Sequence, residues 1–435
     1  MHILCDGGIF IALDRQLTKQ DHNRNLFFNS IHEMFWGFGI AFHSSYAIIP
    51  LFLKELDAPT IIISSIAGIF VVGSSIPQII TAFVGRNIRN MKFSVIVAHG
   101  CILPPILLAG FVFIQTGLTG SAGWMFYFSC YILFTLGLGI VFPLWADFLD
   151  TVHLADKRGQ FFGISFLFNC MAGLLGGITV KKLLSSSIVF PVNFGYGLII
   201  YAVSIACATS LFIFYRTTTN VRHSDSKSLT DFFGEIRQIL KRDHNFRNYI
   251  FSRILLTVNY PAISLYAVYA QDKLNFAMSE AGTFTIIFMS VAGLSGYATG
   301  KFGDRFGHKH AMVLVFLSYL GALVSALLAT SILHAYIIFV FLGLGMGGWL
   351  TSAMSLIYEF AGDRDKKIYF ALTDSLTAPF VLLSIILTGI CVPLYGMEIV
   401  FIGIGIFLVL GILSLVFITK DPKVVHTKFE STPLV

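Results

Sequence analysis

Runs of 18 or more predominantly apolar residues recur along this whole chain, separated by short polar stretches. A helix needs roughly 20 such residues to cross about 30 Å of hydrocarbon. The runs predict twelve spans, at 31–53, 61–84, 93–115, 124–147, 161–180, 196–215, 248–271, 279–299, 310–330, 334–360, 368–392 and 398–419. The expected fold class is an all-α membrane protein. In the last span only Ser414 is clearly polar between Glu398 and Thr419. A helix apolar on every side faces lipid or packed protein, so this one reads as scaffold.

The longest polar stretch, 216–247, splits the spans into six and six. The expected organisation is a tail 1–30, a bundle 31–215, a linker 216–247, a second bundle 248–419 and a tail 420–435. Within the linker, Leu229, Phe232, Phe233, Ile236, Ile239 and Leu240 recur at helical spacing opposite Arg237, Lys241 and Arg242. Ser228 and Asp231 have capping-box spacing. These features predict an amphipathic helix, either on the cytoplasmic membrane surface or as a solvated connector.

Composition agrees with lipid as the main solvent. The 435 residues are 56% hydrophobic and 12% charged, against about 25% charged in soluble domains. All but five of the 29 Lys and Arg lie in the tails and in alternate loops. Lys54, Lys181, Lys182 and Lys273 occupy the other loops, and Arg253 lies in a span. Cytoplasmic loops retain Lys and Arg, so both termini are expected in the cytoplasm of a multi-pass inner-membrane protein. The same placement assigns the net charge of +6 to topology rather than to nucleic acid. The stretch Ile3 to Leu13 is too short for a secretory signal, carries Asp6 and follows no basic residue. Cys5 lies in the first tail and the other five cysteines lie in spans, where a thiol behaves as a small apolar group. No metal-ligand spacing occurs, and no metal or cofactor is expected.

The halves echo each other. Thr60 and Ser279 each open a helix that leads, 26 residues on, to Arg86 and Arg305. GLGIVFPLW at 137–145 is echoed by GLGMGGWL at 343–350, and an acid with basic residues follows each. Internal repeats of this kind mark transporter architecture, in which one half rocks against the other.

The loop after the eighth span reads Gly300-Lys-Phe-Gly-Asp304-Arg305-Phe-Gly307-His308-Lys309. It resembles the major facilitator superfamily signature G-x-x-x-D-R-x-G-x-K, in the setting that family uses, a cytoplasmic loop between two spans. The first-half loop keeps Arg86, Arg89 and Lys92 but has Gly85 where the acid should be. The stretch from Phe232 to Arg253 is similar to bacterial members of the superfamily. The resemblance implies two pseudo-symmetric six-helix bundles, with helices 1, 4, 7 and 10 around the pathway. It implies that Asp304, Arg305 and Lys309 hold the cytoplasmic side closed in one state, facing Asp156 to Gly159. The alternative is a tight basic loop that only anchors topology. Helix 4 lacks the arginine of proton antiporters, and Gly173, Gly176 and Gly177 do not form the drug-antiporter pattern.

Charged and strongly polar groups inside spans are costly and therefore functional candidates. Glu33, beside His32, and Arg253 sit at near-equivalent places in helices 1 and 7, and an ion pair between them is expected as an inner gate. His43, with Ser44, Ser45 and Tyr46, lies near the middle of helix 1 as a titrating group or a packed neutral one. Asn259 and Tyr260 precede Pro261, which frees a backbone carbonyl at the kind of break that lines transporter sites. Asp374 lies roughly 9 Å into helix 11, as a proton or cation site or as a rim acid. Gln78 and Asn169 are further pathway candidates. Trp145 and Trp349 are gate candidates or interfacial anchors.

Together these readings predict a secondary active transporter that moves a small solute by alternating access, with protons or another ion as coupling partner. The expected surroundings are membrane lipid, and the expected state is a monomer. The alternative is a non-transporting receptor on the same fold, for which an appended signalling domain is expected and none is read in this sequence. An enzyme would need acids and histidines converging at one face, and no nucleotide loop supports an ATP-driven pump.

Overall fold

Polar side chains decide where the first helix begins. The computed structural model describes residues 16–84, 88, 90–154, 157–218, 229–362 and 366–422. In it, helix α1 runs over Lys19–Ile40, opened by a capping box between Thr18 and Asp21. The expected tail 1–30 is thus shortened, because residues 19–30 are helical. Hydropathy misses this stretch because its buried face carries amides. Each amide is satisfied: Asn25 Nδ2 donates to the carbonyls of Val152 (2.8 Å) and Arg216 (2.6 Å), and Asn29 Nδ2 donates to Ser165 Oγ (2.7 Å). A paired buried amide costs little, whereas an unpaired one costs about 1–3 kcal/mol.

The first expected span, 31–53, is broken. After α1 comes a 3-10 turn at Ala41–His43, and then α2 at Ile48–Glu55. Ser44 takes an extended conformation, and its Oγ accepts the backbone N–H of Ile48 at 3.1 Å. It starts the second segment as an N-cap does. The seventh expected span, 248–271, is broken in the same manner into α10 (His244–Thr257) and α11 (Asn259–Leu274). Pro261 has no N–H to give to the carbonyl of Thr257, and Ser384 Oγ from another helix donates to that carbonyl instead, at 3.3 Å.

The remaining helices are α3 (Thr60–Val84), α4 (Met91–Cys101), α5 (Leu103–Thr116), α6 (Gly120–Asp150), α7 (Arg158–Leu184) and α8 (Val192–Ser210) in the first half. After α9 (Leu229–Arg242) come α10, α11, α12 (Glu280–Phe306), α13 (His308–Leu327), α14 (Ile332–Ala361), α15 (Lys366–Tyr395) and α16 (Met397–Leu413). Pro104 and Pro105 separate α4 from α5 in one crossing. The amphipathic linker is helical as α9, with Ile239 buried against the core; Ser228 lies outside the described residues. No strand occurs among the described residues. Eleven of their segments are long and apolar enough to cross a membrane, and the pair α10–α11 is not among them. Its two pieces have 14 and 16 residues, and α10 carries Arg247 and Arg253.

The halves meet along two seams, α7 against α12 and α3 against α11 and α15. Lipid provides no hydrophobic drive between helices, so close packing of small residues does the work. A side chain at Gly177 would run into Ile286 and the carbonyl of Gly282, one at Gly293 into Cys170, and one at Gly68 into Ile385. The glycines noted in helix 5 therefore serve the seam between halves as well as packing inside one.

Candidate solute and ion pathway

Arg253 lies on α10, one turn before the break. Its guanidinium carbon sits 4.1 Å above the ring centre of Trp349 on α14. Nη2 is 3.7 Å from Asp374 Oδ1 on α15, and Nη1 is 3.5 Å from the hydroxyl of Tyr249. A cation held in this way has three kinds of compensation: the face of an aromatic ring, a carboxylate and a hydroxyl. The arginine is only 7% exposed, while the Asp374 side chain is 44% exposed. At 3.7 Å the pair is ionic rather than hydrogen-bonded. Asp374 continues its helix beside Thr377, whose hydroxyl bonds back to the carbonyls of Thr373 and Asp374.

The expected Glu33–Arg253 pair is not formed. Arg253 points at helices of its own half, and Glu33 points at α7. There Asn169 Nδ2 donates to Glu33 Oε2 at 2.9 Å, and His32 Nδ1 lies 3.2 Å from Oε1. Behind it the rings of Trp36, His99 and Phe212 surround His32. The structure thus joins two predicted residues, Glu33 and Asn169, on neighbouring helices.

His43 has the surroundings of a packing residue. Its Nε2 bonds to the hydroxyl of Tyr127 at 2.9 Å, its ring stacks 5.0 Å from Tyr201, and Phe134 meets it edge-on. All these partners belong to the first half. Tyr46, three residues on, crosses the seam: its ring stacks 3.9 Å from that of Phe288 on α12. Tyr260 packs at the other seam with Val72 of α3 and Val381 of α15. Asn259, at the break itself, is 1% exposed, and both polar atoms of its side chain lack partners among the described residues. Gln78 is half-buried on α3, and the indole N–H of Trp145 is buried without an acceptor among the described residues.

The signature from Gly300 to Lys309 forms the end of α12 and the start of α13. Gly307 adopts φ +97°, which ends α12 as only glycine does readily. Asp304 Oδ1 lies 3.3 Å from His308 Nε2, Lys309 Nζ donates to the carbonyl of Val416 at 3.0 Å, and Arg305 lies over Phe306. Its expected partner Asp156 is outside the described residues.

Sequence reasoning missed a second set of charges. Lys181 on α7 reaches across the seam to Glu280 Oε1 (3.1 Å) and Thr283 Oγ1 (2.8 Å) on α12, and Tyr336 donates to Glu280 Oε2 at 3.0 Å. Lys54 on α2 pairs with Asp272 and donates to Gln271 Oε1 at 2.9 Å on α11. Lys54 and Lys181 belong to the few basic residues of the otherwise base-poor loops, and that scarcity was the available signal.

The sequence model described as Major Facilitator Superfamily matches residues 183–372 and 246–434, together more than half of the chain. The chain belongs to the major facilitator superfamily. It is a multi-pass membrane protein and a secondary transporter by family. No curated protein sequence matches it. Among solved structures, the superfamily fold is shared with a D-xylose–proton symporter (TM-score 0.69, 14% identity, 92% of this chain and 98% of that one). It is also shared with the nucleoside transporter NupG (0.64, 13%, 91% and 98%). A bacterial homologue of the human lysosomal transporter Spinster, inward-facing and unoccupied, matches as well (0.63, 14%, 96% and 100%). At these identities the likeness is one of fold.

Proposed function

We propose that this chain moves a small neutral or amphipathic solute by alternating access, coupled to protons through Asp374. The observation that carries the reading is the asymmetry of the Arg253–Asp374 pair. The arginine is buried between Trp349 and Tyr249, whereas the Asp374 side chain is 44% exposed. Protonating Asp374 leaves a buried cation short of its counter-ion, a costly state. A solute hydroxyl or carbonyl that accepts from Arg253 offsets that cost. Proton uptake and solute binding then favour each other.

The two halves, 31–215 extended back to residue 19 and 248–419, act as the moving bodies, and α10–α11 supplies the twelfth crossing. The break at Val258 falls, in the repeat, two residues before the position of the break at 41–47, and both leave the backbone irregular where a solute can be held. Both termini and the signature loop lie on the cytoplasmic side of the inner membrane, so Lys54 and Lys181 hold the outer ends together. The working unit is a monomer.

The test uses liposomes loaded with a pH dye and challenged with a solute panel that starts from pentoses and nucleosides. Solute-driven proton movement is expected from the wild type. Asp374→Asn should abolish it while leaving solute exchange in place. Undiminished proton movement in Asp374→Asn would remove Asp374 from the mechanism.

A further inference from the structure

Outside the pathway, α13 and α16 diverge on the lipid side and leave a groove of about 370 Å³. Its walls are wholly aliphatic: Leu323, Val324 and Leu327 on one side, Ile402, Ile406 and Val409 on the other, with Gly405 between them. From Ile402 to Leu410 the groove follows α16 for roughly 12 Å, close to the depth of one leaflet's hydrocarbon, about 15 Å.

The end of the groove is polar and built. Lys273 Nζ donates to the hydroxyl of Tyr269 (2.9 Å), to the carbonyl of Leu327 (3.3 Å) and to Glu398 Oε1 (3.3 Å). Tyr269 donates to the same Oε1 at 2.9 Å. All three protons of the ammonium are therefore used, and Leu327 belongs to both the polar cluster and the groove wall. Glu398 stands one turn before Ile402, on the same face of α16. Its side chain is 62% exposed, and both of its protein contacts fall on Oε1. Oε2 remains as an acceptor one turn from the aliphatic slot, beside a fixed positive charge.

We propose, on the orientation given under the proposed function, that this groove binds one phosphatidylethanolamine molecule of the outer leaflet. An acyl chain lies between α13 and α16, and the primary ammonium donates to Glu398 Oε2. Lipid tails are as apolar as leucine, so the chain alone gives no selectivity. The headgroup decides. A primary ammonium supplies N–H donors and a charge that suits a carboxylate. A choline headgroup has the charge without the donors, and a glycerol headgroup lacks the charge.

Native mass spectrometry of the full chain, extracted from bilayers of equal phosphatidylethanolamine, phosphatidylcholine and phosphatidylglycerol, tests the assignment. The wild type should keep one ethanolamine lipid, preferred about tenfold over each of the others. Glu398→Gln should lose the preference over choline lipid. Gly405→Leu should lose the bound lipid altogether, its Cβ standing 3.4 Å from Leu323, an ordinary contact. Equal retention of the three lipids by the wild type would mean annular lipid only and overturn the site. So would an unchanged preference in Glu398→Gln, or a lipid-free dimer that Gly405→Leu converts to monomer.

Discussion

Removing the Lys181–Glu280 contact should let the two halves part more readily at that end. Lys181 makes two bonds across the seam, to Glu280 at 3.1 Å and Thr283 at 2.8 Å, and Tyr336 holds the other carboxylate oxygen. The lysine side chain is 43% exposed and the glutamate 21%. A buried charge-assisted bond contributes about 1.5–3 kcal/mol, but exposed pairs give about 0.2–1 kcal/mol. With both groups partly in water, a coupling of about 1 kcal/mol is expected. That corresponds to about a fivefold change in the equilibrium between closed and open outer ends. Only an interaction that differs between the two conformations shifts their populations, so the effect requires that the contact break on opening.

Spin labels at Ser187→Cys in the first half and Thr330→Cys in the second, both exposed, report the separation of the outer ends. Lys181→Ala and Glu280→Gln should each enrich the long-distance population. The double variant should do little more than either single one, since the shared contact is already gone. If the two single effects simply add in the double variant, the pair is not a latch. Distances unchanged in all three variants would exclude this seam as the part that opens.

Three further outcomes are expected. Pro261→Ala restores an N–H that can close onto Thr257, so it should straighten α10–α11 and slow solute exchange without lowering Tm; an unchanged exchange rate would show that the break is incidental. Gly177→Leu forces a side chain against Ile286 and the carbonyl of Gly282, and should cost about 1–3 kcal/mol as overpacking does, read as a lower Tm in a fixed detergent. Trp349→Ala removes the ring under Arg253, a desolvated cation–π contact worth about 2 kcal/mol; apparent solute affinity should fall at least tenfold, while Trp349→Phe keeps most of it.

Much of the architecture was legible because lipid imposes one strong rule, that each crossing be long and apolar. The breaks were half legible. Pro261 announced one of them through its missing donor, but the break at 41–47 depends on Ser44 accepting from the N–H of Ile48, and the polar group His43 to Tyr46 marked a candidate site without marking a break. The helical start at Lys19 was hidden because Asn25 and Asn29 are polar by composition and satisfied only by carbonyls and hydroxyls from distant parts of the chain. Pairing was the least legible. Glu33, Arg253 and Asp374 were all singled out by their depth, yet depth says nothing about rotation around the helix axis. Rotation turned Arg253 toward Asp374 and Glu33 toward Asn169.

That division of partners bears on which acid can carry a proton. Glu33 and Asp374 both lie inside spans, one in each half. Glu33 has a partner on each oxygen, Asn169 on Oε2 and His32 on Oε1, and its side chain is 11% exposed. Asp374 has a cation at 3.7 Å, near enough for attraction and too far for a hydrogen bond, and four-tenths of its side chain is open. A proton reaches it without breaking any bond. The cost falls instead on Arg253, which loses its counter-charge while buried against Trp349. That cost is what a solute can relieve. In the proposed coupling, Asp374 therefore links protonation to the charge balance of Arg253, whereas the partners of Glu33 lie on α1 and α7.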